Sequence, residues 1–158
     1  MIIVITGPTC THKSAIAVKV ALALNAEIIN ADAFQIYQEL EIGTAKPTAN
    51  ALKQVKHHLY SFLKPDTPYS IYQYQKDARA KINALLKQKK NVVLVGGSGL
   101  YIRSVLYDYD FKEADVKVDL SRYEKLDNQA LHDVLKKIDP KSAKQIHYNN
   151  RRRVLRAL

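Results

Sequence analysis

The chain opens with an apolar run, Ile2 to Thr6, that leads into Gly7-Pro8-Thr9-Cys10-Thr11-His12-Lys13-Ser14. This octet fits the phosphate-binding loop pattern G-x-x-x-x-G-K-[ST] at every fixed position except His12. A buried strand turning through small residues into a helix near Lys13 would aim several backbone N–H groups and the positive end of a helix dipole at one spot, with the Lys13 ammonium beside it. Such a spot attracts phosphate. His12 works against it, because glycine there lets the backbone approach a ligand whereas histidine adds a Cβ and a ring. Two readings stand together: a phosphate loop in which His12 swings outward or donates to a phosphate oxygen, and a ligand-free strand-to-helix turn. A second glycine-rich turn, Gly96-Gly97-Ser98-Gly99, follows the apolar run 92–95, and Asn30-Ala31-Asp32 ends a third. Ligands of parallel sheets sit beyond the carboxyl ends of the strands, so all these turns could face one cleft, with Asp32 as acceptor or general base. The plainer reading of Asp32 is an N-cap or turn aspartate.

These turns need a scaffold, and the pattern along the chain supplies one. Apolar, β-branched runs alternate with helical periodicity: a strand over 2–6, a helix over 13–24 packed through Ile16, Val20 and Ala23, and a strand over 27–30. A weaker third strand is expected over 57–61. The segment 71–89 predicts a long helix with Tyr74, Ala78, Ile82 and Leu85 inward, followed by the buried strand 92–95. Further helices are expected over 128–138 and 141–146. Strands alternating with helices imply an α/β fold with a parallel sheet flanked by helices. The 158 residues suffice for one domain with a real core. A net charge of +10 favours polyanionic partners such as nucleic acid or membrane phosphates. A single cysteine excludes an internal disulfide. No apolar run reaches the roughly 20 residues of a membrane span and no signal-peptide pattern opens the chain, so a cytoplasmic protein without membrane contact is expected.

Several ordered motifs carry a resemblance. They are Gly7-Pro8-Thr9, the run from Asn30 through Gln35 to Tyr37, Ile42-Gly43-Thr44-Ala45-Lys46-Pro47, His57-His58-Leu59, Tyr69-Ser70, Gly96-Gly97-Ser98-Gly99-Leu100-Tyr101, Asp139-Pro140, Ile146-His147 and Arg153-Val154-Leu155-Arg156-Ala157-Leu158. Over its whole length the chain resembles the tRNA dimethylallyltransferase family, also called tRNA isopentenyltransferases. That resemblance implies a P-loop NTPase-like core over 1–106, incomplete here, a helical tRNA-binding insertion over 107–150, and the start of a helix returning to the core over 151–158. It also implies transfer of a dimethylallyl group from dimethylallyl diphosphate to N6 of an adenosine next to the anticodon.

Carried over residue by residue, Gly7, Pro8, Thr9, Cys10, Thr11, His12, Lys13 and Ser14 would hold the diphosphate, with Ser14 beside Mg²⁺. Asp32 and Ser98 would be catalytic, Asp32 taking the proton from the attacking amine. Asp32, Ala33, Phe34 and Gln35, with Arg152, Arg153 and Arg156, would contact the tRNA anticodon arm; no obligate protein partner is implied. Serine at 98 stands where threonine is commoner, and Ala33 where serine is usual. Chains of this family continue well past the position of Leu158, so a fragment or a shortened gene is expected. Such a chain would expose a sheet edge, bind RNA and transfer no isoprenoid. A small-molecule P-loop kinase and a non-catalytic RNA-binding remnant are the alternatives.

Overall fold

A computed structural model describes residues 1–107, 109, 111 and 120–158. Four strands, β1 (Ile2–Thr6), β2 (Ala26–Asn30), β3 (His57–His58) and β4 (Asn91–Gly96), form one sheet in the order β1-β4-β2-β3, with every pairing parallel. Side chains alternate across the central strands as the period of two demands. Ile29, Val92 and Leu94 pack beneath α3 (Ile71–Lys87) and α4 (Gly99–Leu106), against Tyr74, Ala78, Ile82, Leu85, Tyr101 and Ile102. Ile28, Val93 and Val95 face the other way, toward Ala17, Val18 and Ala21 of α1 (Lys13–Ala23), with Ala51 of α2 (Ala49–Gln54) packed against the same cluster. The sheet is thus covered on both faces, as near-continuous apolar strands require.

Some elements depart from the sequence expectation for visible reasons. The face of α1 that packs is Ala17, Val18 and Ala21, while Ile16, expected inward, is 49% exposed. Apolar residues surround this helix, so spacing could not choose a face; close approach to the strands selects the small alanines. The strand expected over 57–61 stops after His58, because Leu59 and Ser61 adopt left-handed backbone, with φ of 61° and 48°, and leave the ladder. The long helix begins where Ser70 and Gln73 form a reciprocal capping box, and it ends at Lys87. β1 pairs only with β4 among the described residues, and Ile2 on it is exposed.

Residues 1–111 form one compact unit and residues 112–158 a second. Of the second, the described part contains α5 (Asn128–Ile138), α6 (Pro140–Gln145) and α7 (Arg151–Ala157) around Tyr123, Leu131, Leu135, Ala143 and Val154. Asp127 and Asp139 cap α5 and α6. Residues 112–119 of the expected insertion lie outside the described residues. Helix α7, expected to begin a return to the core, packs on α5 within its own unit through the fully buried Val154.

One buried charge cluster joins three parts of the sheet. Glu27 on β2, 6% exposed, accepts from Lys90 just before β4 and pairs with His58 Nε2 on β3 at 2.5 Å. Burial alone would raise the Glu27 pKa, but the hydrogen bonds from Lys90 and His58 together outweigh it and hold the carboxyl below its ordinary value. A carboxylate depressed in this way stabilises the fold above its unfolded pKa, near 4.5, and loses that contribution as pH falls through the folded value. Glu27→Gln should therefore lower stability by about 2 kcal/mol at neutral pH and flatten the decline between pH 5 and 3, roughly the range a depressed carboxyl spans. Urea unfolding at a series of pH values measures both effects.

Candidate functional site

The site is built on the strand ends. Thr6 pairs with Gly96 at the end of β1, and Asn30 with Val95 at the end of β2, so three loops leave the sheet side by side. Gly96 is required there: a Cβ on it would lie 2.1 Å from the Ala31 carbonyl carbon and oxygen and 2.7 Å from Asp32 N. Only glycine permits that approach. The junction is then tied by hydrogen bonds, Ala31 N to Val95 O at 2.7 Å, Ser98 N to Ala31 O at 3.1 Å and Ala33 N to Ser98 Oγ at 2.9 Å.

Asp32 is held from behind. Buried Asn30 accepts from Asp32 N through Oδ1 and donates through Nδ2 to Asp32 O, both at 2.9 Å, and to Leu59 O at 3.0 Å. Asp32 Oδ1 accepts from Phe34 N at 3.0 Å, the turn geometry of the plainer reading. Its other oxygen, Oδ2, makes no hydrogen bond among the described residues and lies against Gly97, 3.6 Å from where a Cβ would stand. Asp32 is therefore a turn residue through one oxygen and a free acceptor through the other.

The first loop curls over the start of α1. The Pro8 carbonyl accepts from Thr11 Oγ1 at 2.8 Å and from the Lys13 ammonium. Cys10 and His12 take left-handed backbone at φ of 64° and 58°, and His12 caps α1 without a side-chain hydrogen bond. No acidic residue lies in the first turn of α1 to offset the positive end of the helix. His12 is exposed, and its left-handed backbone adds strain to the loop.

Loop and carboxylate line one cavity of about 570 Å³, whose walls include Thr9 to Ser14, Asp32, Gln35, Tyr60 and the strap 44–48. Gly7 and Pro8 support the loop from outside this lining. Ser98 also stands behind the wall, and its hydroxyl positions Ala33. Gln35 is buried, and its Nε2 donates to Thr44 O and Ala45 O at 2.8 and 3.2 Å, leaving Oε1 without a hydrogen bond among the described residues. Lys46 clamps the other side of the strap by donating to Tyr37 O at 2.7 Å. Phe34 points outward, 66% exposed, and Ala33 packs on the core. On α7, Arg152, Arg153 and Arg156 are exposed, with guanidinium groups that have no partner among the described residues. The neighbouring Arg151 donates to the carbonyls of Tyr123, Glu124 and Leu126 at 3.0, 3.1 and 2.6 Å.

Sequence reasoning missed Tyr60 and the strap. Burial, with the Asp32 charge adding to it, pushes the Tyr60 phenol well above its ordinary pKa, and burial together with Tyr37 and Asp32 pushes Tyr101 up to about 12. Both phenols stay neutral beside the carboxylate. The run Gly43-Thr44-Ala45-Lys46-Pro47 was visible as a motif, but nothing local said that it folds back to wall a cavity.

A parallel sheet whose first strand runs into an anion-type loop, with a free carboxylate oxygen at the neighbouring strand end, defines a P-loop NTPase-like α/β protein. Within that class the chain belongs to the IPP transferase family, whose model matches residues 35–158. It is 46% identical over 160 residues to a tRNA dimethylallyltransferase of Macrococcus caseolyticus, covering 99% of this chain and 51% of that one. A relative of the same name in Staphylococcus carnosus is 40% identical, covering 100% and 52%. Among solved structures, the full-length tRNA isopentenylpyrophosphate transferase of Bacillus halodurans matches with a TM-score of 0.69 at 38% identity, over 99% of this chain and 53% of that one. A eukaryotic dimethylallyltransferase solved acting on tRNA matches with a TM-score of 0.81 at 27% identity, over 98% and 40%. The chain spans about half the length of the curated relatives it matches.

Two substitutions probe this geometry. Gly96→Ala should cost about 3 kcal/mol, since backbone must move to admit the methyl group, and should displace Asp32; thermal unfolding and the Asp32 amide resonance report each effect. His12→Gly should raise stability by about 0.5 kcal/mol, because relief of roughly 1–2 kcal/mol of left-handed strain outweighs the greater unfolded freedom of glycine. Equal melting temperatures for the His12→Gly and unmutated chains would contradict the strain.

Proposed function

We propose that this chain carries the donor-binding core of a tRNA-modifying transferase, which moves a dimethylallyl group from dimethylallyl diphosphate to N6 of an adenosine next to the anticodon. The observation behind this reading is the shared cavity: Asp32, whose Oδ2 makes no hydrogen bond among the described residues, lines the same space as the loop from Thr9 to Ser14. The loop N–H groups, the α1 dipole and Lys13 suit a diphosphate, and they act most strongly as charge gathers on the departing oxygen. Lys13 would exchange the Pro8 carbonyl for the diphosphate. The N6 lone pair forms a bond to the allylic carbon, the carbon–oxygen bond to diphosphate breaks with its electrons passing to that oxygen, and the N6 proton moves to Asp32 Oδ2.

Oxygen ligands suit Mg²⁺, and the Ser14 hydroxyl on the cavity wall fits it in company with diphosphate oxygens and water. Bound there, the ion would neutralise charge on the leaving group. Gln35 Oε1 and the Ser98–Ala33 tie would orient the adenine, and Arg152, Arg153 and Arg156 would meet tRNA phosphates. The setting expected for such an enzyme is the cytoplasm; no helix of the described residues is long and apolar enough to cross a membrane.

Calorimetric titration with dimethylallyl diphosphate and Mg²⁺ tests the loop. Lys13→Ala should weaken binding by about ten-fold or more, the effect of losing one charge-assisted contact of roughly 1.5–3 kcal/mol. Failure of the unmutated chain to bind at millimolar donor would refute the assignment. In a chain carrying the further half present in the relatives, Asp32→Asn should retain donor and tRNA affinity while labelled dimethylallyl incorporation falls by about two to four orders of magnitude. Undiminished incorporation would exclude Asp32 as the base. Phosphate transfer from ATP to a small acceptor would point to a kinase instead.

A further inference from the structure

Outside the cavity, at the end of α4, the chain holds a set of aromatic rings out toward solvent. Tyr107 and Tyr109 line a recess with Arg103, and they are 64% and 40% exposed. Tyr109 leans on Phe111 with ring centroids 5.2 Å apart, and Phe111 meets exposed Tyr72 of α3 edge-on at 6.2 Å. The hydroxyls of Tyr72, Tyr107 and Tyr109 and the guanidinium of Arg103 have no partner among the described residues.

The backbone beneath these rings is firmly held. Gln75, buried on α3, donates through Nε2 to Ser104 O at 2.7 Å and Tyr109 O at 2.9 Å. Arg79, one turn further along α3, donates through Nη2 to Ser104 O at 3.1 Å and Tyr107 O at 2.7 Å, and through Nε to Val105 O at 3.2 Å. Two long polar side chains thus close the end of α4 and fix the carbonyls of the very residues that carry the exposed rings. The rings owe their position to this clamp and not to their own burial. Solvent-facing aromatics on a preset backbone offer contact area at little further cost in conformational entropy.

We propose that Tyr107 and Tyr109, with Arg103, form a stacking platform for an unpaired nucleobase of RNA, separate from the cavity that holds Asp32. The proposal rests on the reading of the substrate as RNA, and the net charge of +10 agrees with that partner. Tyrosine faces stack any base, and a guanidinium beside them serves either a base face or the adjoining phosphate. Asp108 and Asp110 interleave with the aromatics in sequence. Local charge therefore does not draw RNA to this stretch. Stacking supplies the attraction, and unlike phosphate contacts it resists salt.

Fluorescence anisotropy of the 158-residue chain with a labelled short oligoadenylate, and with an abasic ribose-phosphate oligomer of equal length, tests the platform. The double variant Tyr107→Ala, Tyr109→Ala should bind oligoadenylate about ten-fold more weakly at low and high salt alike, the usual effect of losing a stacked base. The corresponding Tyr→Phe variant should bind as before, and the abasic oligomer should not distinguish any of them. Unchanged oligoadenylate affinity in the alanine variant, or an equal loss for both oligomers, would overturn the platform while leaving RNA as the partner. If the unmutated chain binds neither oligomer, the RNA reading falls and the platform with it. Self-association abolished by the alanine variant, with RNA binding intact, would assign the patch to a second copy of the chain and overturn the proposal.

Discussion

The close approach of Gly96 to Ala31 governs the rest of the site. At that point the ends of β2 and β4 lie so near that no side chain fits between them. The approach lets Ser98 bond to both Ala31 and Ala33, and it sets the Asp32 peptide against Gly96 and the Asp32 Oδ2 against Gly97. Asn30 completes the clamp from the β2 side, and the buried Tyr74 hydroxyl holds the Asn30 carbonyl at 2.8 Å. Through the β1–β4 ladder the same junction also decides where the first loop emerges, because Thr6, the last residue before Gly7, is in register with Gly96. Loop and carboxylate are therefore placed by one rigid piece of backbone, as catalytic geometry requires.

Chemistry at the cavity follows from what is left uncommitted. Asp32 turns the chain with one oxygen and keeps the other free, and the phenols of Tyr60 and Tyr101 are held neutral beside it. Lys13 and Thr11 rest on a single carbonyl, that of Pro8, which a diphosphate would outcompete for an ammonium. The left-handed Cys10 and His12 store backbone strain in the loop, the kind of local cost that functional turns carry when the surrounding sheet fixes them. Arginine chemistry divides similarly. Arg79 and Arg151 serve as carbonyl clamps within their own units, whereas the guanidinium groups of Arg152, Arg153 and Arg156 have no partner among the described residues.

Much of the scaffold was legible because its signals are local. The β4 run and the inward stripe Tyr74, Ala78, Ile82 and Leu85 declare themselves within a few residues, and the loop octet joins a strand to a helix as its pattern suggests. The packed face of α1 was not legible, since an apolar residue stands on every side of that helix. The short β3 was over-read because the turn at Leu59 and Ser61 uses left-handed residues that are not glycine. The cavity wall formed by Thr44 to Thr48 depends on Gln35 and Lys46 reaching back across roughly ten residues, a contact that no periodicity encodes.

The central claim is that the first loop and Asp32 form one site through the Gly96 junction. Amide chemical-shift mapping with diphosphate and Mg²⁺ addresses it most directly. The account predicts that the amides of Thr9 to Ala15 and those of Asp32 to Gln35 shift together along a single binding curve, with α7 unaffected. Shifts confined to the arginines of α7, or separate curves for the loop and the Asp32 turn, would contradict it.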